Sequence, residues 1–134
     1  MKQEDKELLL RDLCARLPYG VICELYNATC TIKEKLLYGG LSHFVDDTIC
    51  VRPFLRPMSS MTEEERKEIG ILIREKRPNP YGIINNEGVD NLLLSVSVTS
   101  TVLIDWLNAH HFDYRDLIEK GLALEAKDGM YKND

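Results

Sequence analysis

Between residues 4 and 17 the apolar side chains Leu9, Leu10, Leu13, Cys14 and Leu17 recur at three- and four-residue steps. Glu4, Lys6, Glu7, Arg11 and Arg16 fall on other faces, so the spacing predicts an amphipathic helix. Pro18 cannot continue it, and Tyr19-Gly20 supplies a turn. From Val21 the period becomes two, with Val21, Cys23 and Leu25 alternating with Ile22, Glu24 and Tyr26. Asn27-Ala28 turns the chain and Thr29-Cys30-Thr31-Ile32 resumes in β-branched residues. Gly39-Gly40 and Asp46-Asp47 punctuate two more short apolar runs, Leu41 to Val45 and Thr48 to Val51. Four short strands joined by tight turns predict an antiparallel meander, which at this size and twist can close into a small SH3-like barrel.

Pro53 and Pro57 then argue for an extended connector over Arg52–Pro57, since proline cannot donate to a strand ladder. Ser60 and Thr62 are both candidate helix caps, each with a Glu three positions later. Glu63-Glu64-Glu65 at the start and Arg74, Lys76 and Arg77 at the end match the macrodipole of a central helix with Ile69, Leu72 and Ile73 as its apolar stripe. Pro78-Asn79-Pro80 stops it. Asn85 to Gly88 predicts a turn and Leu92 to Val98 a strand. A helix follows from Ser100 or Thr101 to about His110, with Leu103, Trp106, Leu107 and His110 on one face. Asp113 then caps a second short helix, Tyr114 to Lys120, which Gly121 ends. The expected fold is one α+β domain over residues 1–134: an N-terminal helix, a small antiparallel meander or SH3-like barrel, a central helix and a C-terminal helical hairpin. The polar tail from about Lys127 is expected to fray.

Composition narrows the function classes without choosing one. A chain of 134 residues buries enough surface to fold without a metal or a disulfide. With 17 basic against 22 acidic residues the net charge is -5, which tilts against a general nucleic-acid binder. No apolar run approaches the roughly 18 residues of a membrane span, and the charged N-terminus has no apolar core of a signal segment behind it. A cytoplasmic protein with no membrane role is expected. Cys14, Cys23, Cys30 and Cys50 match no common zinc spacing, so buried free thiols are expected, with no metal and no cofactor.

The chemistry concentrates in Trp106-Leu-Asn-Ala-His-His-Phe-Asp-Tyr-Arg115, which holds the only Trp and two of the three His. His110 and His111 are adjacent, so on a helix their side chains point about 100° apart and do not readily share one metal. Trp106 belongs to the apolar stripe or to an interface, where Trp, Tyr and Arg are enriched. Tyr114 and Arg115 permit contact with a protein, or stacking on a nucleobase with the guanidinium on a phosphate. Arg52 and Arg56 flank Phe54-Leu55 and either grip an anion or pair with nearby acids. The binding candidates are therefore Trp106, His110, His111, Tyr114, Arg115, Arg52 and Arg56, with no catalytic or metal-ligating residue assigned.

Two stretches, Asp12 to Val21 with Arg52 to Glu65, and Asp105 to Glu125, resemble a group of uncharacterised small proteins of gut-bacterial genomes, prophages and mobile elements. The resemblance covers about half the chain and carries over no functional residue. In those relatives a Gly is expected where Asp116 stands here. The resemblance implies a phage-linked accessory protein acting inside a bacterium. The favoured expectation is a non-enzymatic module that binds a host or phage protein. The alternatives are nucleotide or nucleic-acid binding through stacked aromatics and Arg, and a small hydrolase using His110 or His111 with Asp113.

Overall fold

The computed structural model describes residues 1–76 and 101–131. Helix α1 (Gln3–Arg16) opens the chain and leads into a 3-10 turn, Leu17–Tyr19, which Gly20 closes in the left-handed region at φ 72°. The buried stripe of α1 is Leu9, Asp12, Leu13 and Arg16, while Cys14 is exposed. The helix is thus rotated from the purely apolar face that its leucines suggest. Asp12 and Arg16 go inside because they satisfy one another: Arg16 Nε donates to Asp12 Oδ2 at 2.8 Å and Nη2 to the carbonyl of Phe112 at 2.6 Å.

Strands β1 (Ile22–Tyr26) and β2 (Thr31–Lys35) form an antiparallel hairpin. Its turn is held by the Asn27 carboxamide oxygen, which accepts from the amides of Thr29 and Cys30, both at 2.9 Å. The run 41–45, expected as a strand, lies in helix α2 (Tyr38–Val45). Leu41 and Phe44 are buried three residues apart, which is helical spacing. Gly40 lets α2 press onto the sheet: a Cβ there would stand 2.9 Å from Leu25 Cδ2. Lys6 of α1 grips the far end of α2 through Asp47 and the Val45 carbonyl.

The proline segment is also a strand, β3 (Cys50–Pro57), and not a connector. It pairs antiparallel with β1 as far as Pro53, whose partner is Cys23. From Phe54 on it pairs in parallel with two short strands, β4 (Phe112–Asp113) and β5 (Leu124–Glu125). The prolines are tolerated because Pro53 ends the ladder to β1 and Pro57 ends the strand, so no missing N–H falls inside a continuous ladder. The result is a mixed five-stranded sheet in the order β2-β1-β3-β4, with β5 also on β3. Among the described residues this sheet is not closed, so the expected barrel is not formed by these strands.

After a 3-10 turn, Met58–Ser60, comes helix α3 (Glu63–Lys76). Glu65 N–H donates to Thr62 Oγ1 at 3.2 Å and Thr62 N–H returns to Glu65 Oε1 at 3.0 Å, a reciprocal cap. Helix α4 (Thr101–Ala109) precedes β4. The strand expected over Leu92–Val98 and the turn at Asn85–Gly88 lie outside the described residues. Two apolar clusters pack among the described residues. One packs α1 and α2 on the sheet around Leu13, Val21, Phe44 and Leu55, and the other joins Met61 and Ile69 to Leu103, Trp106, Leu107, Phe112 and Tyr114.

Residues 114–116 are irregular and 117–120 form a turn where a second helix of a hairpin was expected. Asp113 does cap them, accepting from the amides of Leu117 at 2.9 Å and Ile118 at 3.0 Å. Asp116, however, sits in the left-handed region at φ 58°, which interrupts a right-handed helix. A glycine would occupy this conformation freely. Asp116→Gly should therefore leave the melting temperature unchanged or raised, whereas Asp116→Val should cost about 1–2 kcal/mol in urea unfolding. An equal response to both substitutions would rule the strain out. Beyond this turn, Tyr131 ties the tail down: its hydroxyl accepts from Ile22 N–H at 2.9 Å and donates to the Phe54 carbonyl at 2.7 Å.

Candidate functional site

The seven residues singled out by their chemistry have internal partners. Trp106 is 7% exposed, and its indole N–H donates to Glu68 Oε1 at 3.2 Å. His110 stacks on it with ring centroids 3.9 Å apart, and its Nδ1 lies 2.9 Å from the Trp106 carbonyl oxygen. Phe112 stacks on the indole at 5.8 Å, and the Arg56 guanidinium lies 4.1 Å from the Phe112 centroid. His110, Trp106, Phe112 and Arg56 therefore form one ladder of planar groups.

His111 turns the other way. Its φ of 64° ends α4 in the left-handed region, and its ring stacks on Tyr131 at 3.7 Å. The two histidines serve different layers, and the described residues contain no cluster of three His, Cys, Asp or Glu able to hold a metal. Tyr114 donates to Asn108 Oδ1 at 2.8 Å, with the guanidinium groups of Arg16 and Arg115 at 5.3 and 5.0 Å from its ring centroid. Arg115 Nη1 reaches Asp12 Oδ1 at 3.2 Å. Asp12 thus stands between two arginines that approach from helix α1 and from the turn after β4.

Arg52 bonds Glu24 at 2.6 Å and lies over Tyr26. Arg56 bonds both oxygens of Glu65, at 2.8 and 2.7 Å. A phosphate placed on Arg52, Arg56 or Arg115 would have to displace a carboxylate already there. Burial opposes ionisation of Glu65, but the hydrogen bonds from Arg56 and Thr62 outweigh it and hold the carboxyl below its ordinary value. The folded value lies below the unfolded one, so this contribution is complete at neutral pH and is lost as pH falls through the folded value. Glu65→Gln is expected to flatten the acid limb of the stability profile, measured as melting temperature against pH. Parallel acid limbs for both proteins would contradict it.

Of the four thiols only Cys23 is buried; Cys14, Cys30 and Cys50 are exposed. Burial, with the Asp12 charge adding to it, pushes the Cys23 thiol up to about 12, so it acts as a core hydrophobe. The others fall on the outward face of α1, in the hairpin turn and at the start of β3, positions that their apolar character does not reveal.

Two concave places stand out among the described residues. A cleft of about 300 Å³ lies between the end of β3 and the C-terminal segment, lined by Arg56, Ser60, Glu125, Lys127, Asp128 and Tyr131. Arg56, Ser60 and Tyr131 already bond within the protein, to Glu65, Pro57 and the β1–β3 backbone. The second is a groove of about 240 Å³ between the β1–β2 hairpin and α2, lined by Leu25, Tyr26, Cys30, Ile32, Glu34 and His43 among others. It adjoins the sheet edge. Among the described residues β2 pairs with β1 alone, and all five of its residues are exposed.

The ladder shows which groups the edge offers. Asn27 N–H bonds the Cys30 carbonyl and Leu36 N–H bonds the Val21 carbonyl, so the even-numbered residues of β2 turn their backbone groups toward β1. Thr31, Lys33 and Lys35 turn theirs outward. Side chains alternate as well: Ile32 and Glu34 share a face with their partners Leu25 and Cys23, both buried. Ile32 is nevertheless 46% exposed, an apolar position on the core face with nothing packed fully over it. Leu37 and Tyr38, at the start of α2, are 64% and 77% exposed. The apolar Ile32 within a charged strand, and Leu37-Tyr38 before two glycines, were the signals available in the sequence. No helix among the described residues is long and apolar enough to cross a membrane. No protein-family model matches the chain, and neither the curated proteins nor the solved structures offer a similar one.

Proposed function

We propose that the protein is a non-enzymatic binding module that takes an extended segment of a protein partner along the edge of β2. The observation that carries this reading is the edge itself: a strand exposed along its whole length, with outward N–H and C=O groups on Thr31, Lys33 and Lys35. Such an edge gives affinity through main-chain hydrogen bonds, while a neighbouring pocket reads alternate side chains. Here the pocket is the groove beside Ile32. The aromatic and histidine-rich segment supports this reading indirectly, since its polar groups have partners inside the protein. The resemblance to small prophage and mobile-element proteins supports an accessory role, with a host or phage protein as partner.

Selection from a displayed library of random linear peptides tests the reading. Binding peptides are expected to slow amide exchange at Thr31, Lys33 and Lys35. Lys33→Pro is expected to abolish binding, because it removes an outward N–H and leaves the β1 ladder intact. Circular dichroism and melting temperature establish that this variant is folded. Peptides that bind the wild type while leaving those three amides unprotected would refute the edge as the site.

A further inference from the structure

We infer that the strand accepted by β2 is acidic, with carboxylates at alternate positions opposite Lys33 and Lys35 and an apolar residue opposite Ile32. This rests on the edge reading above and goes on to specify the partner's chemistry. Lys33 and Lys35 stand together on the face of the sheet opposite the groove. Their cross-strand partners are Glu24 and Ile22. Glu24 is already bonded to Arg52 at 2.6 Å, so those two charges cancel, and Ile22 carries none. Neither lysine has a salt bridge among the described residues; Lys33 leans over the Phe54 ring, 5.8 Å from its centroid. The outer face at this edge is therefore positive in a chain whose net charge is -5. Opposite charges directly across a strand pair are favourable and like charges are not.

The same charges disfavour a second copy as occupant in the registers centred on Lys33 or Glu34. Antiparallel pairing of two identical edges keeps each residue on its own face, so the two-fold axis passes through one residue. Centred on Lys33, it sets Lys33 against Lys33. Centred on Glu34, it sets Glu34 against Glu34 and Lys33 against Lys35. Centred on Ile32, it leaves Lys35 outside the paired run. An acidic strand meets no such repulsion, and its apolar residue opposite Ile32 lies on the groove side and covers the exposed part of that side chain.

A labelled peptide, acetyl-Thr-Val-Glu-Thr-Glu-Val-Thr-amide, presents this pattern in either strand direction. It is to be compared with the version carrying Lys in place of both Glu. Amide exchange and nitrogen–proton spectra of the full chain report where each binds, and fluorescence anisotropy reports how tightly. The acidic peptide is expected to protect the outward β2 amides and to bind at least tenfold more tightly than the basic one. The Lys33→Glu/Lys35→Glu double variant, folded by circular dichroism, is expected to reverse that preference. If both peptides protect the edge equally, the edge reading stands and the charge inference is overturned. If neither protects β2, both are overturned. If sedimentation shows a dimer whose β2 amides are protected without peptide, the occupant is a second copy and the inference fails.

Discussion

Asp12→Ala is expected to destabilise the protein by about 3–5 kcal/mol, the usual cost of removing one partner from a buried ion pair. The side chains of Asp12 and Arg16 have no solvent exposure, and Asp12 also receives Arg115. Its removal leaves two guanidinium groups without their shared carboxylate, 5.3 and 5.0 Å from the Tyr114 ring centroid and one of them fully inside the protein. The Coulomb attraction lost is larger than at a surface because little water screens it. The double replacement Asp12→Leu with Arg16→Met should recover much of the loss, since apolar groups of similar volume need no counter-charge. Urea unfolding of the three proteins measures both effects. A loss under about 1 kcal/mol for Asp12→Ala, in the range of exposed pairs, would show that the network carries little stability.

Phe112→Ala is the second large effect, expected at about 3–5 kcal/mol for truncating a buried aromatic. Phe112 has no exposed surface and belongs to strand β4, stacked on Trp106 with Arg56 over it. Its loss opens a cavity in the second apolar cluster and uncovers both neighbours. Because Trp106 is the only tryptophan, its emission reports the change directly and should shift to longer wavelength as water reaches the ring. Phe112→Leu, which refills most of the volume, should cost well under half as much. If Phe112→Ala matched Phe112→Leu in both stability and emission, the stacked ladder would not be a packing unit.

How much of this was legible in the sequence depended on how local each determinant is. Helix α1 was readable from the spacing of Leu9 and Leu13 and from Pro18, and the hairpin from its alternation and from Asn27. The two readings over 41–57 failed for non-local reasons. Leu41 and Phe44 form a helix because Gly40 lets that helix rest on Leu25. Pro53 and Pro57 sit in a strand because each falls where one ladder ends. Asp116, read as the first turn of a helix, adopts a conformation in which glycine is at ease.

The proposed site was masked by the versatility of the residues that drew attention elsewhere. Trp, His, Tyr and Arg bind ligands by stacking and charge-assisted hydrogen bonds, and the same forces let them bind one another. The densest ten residues therefore mark where α4, β4 and α1 meet, while the edge proposed for a partner is a strand of ordinary composition. By itself the sequence determined the elements whose signals lie within a few residues: helix periodicity, strand alternation, caps and turns. The tertiary structure decided which polar groups are enclosed and which are left exposed. Enclosure depends on contacts such as that of Arg16 with the carbonyl of Phe112, 96 residues away, and no local pattern records the meeting of groups so far apart.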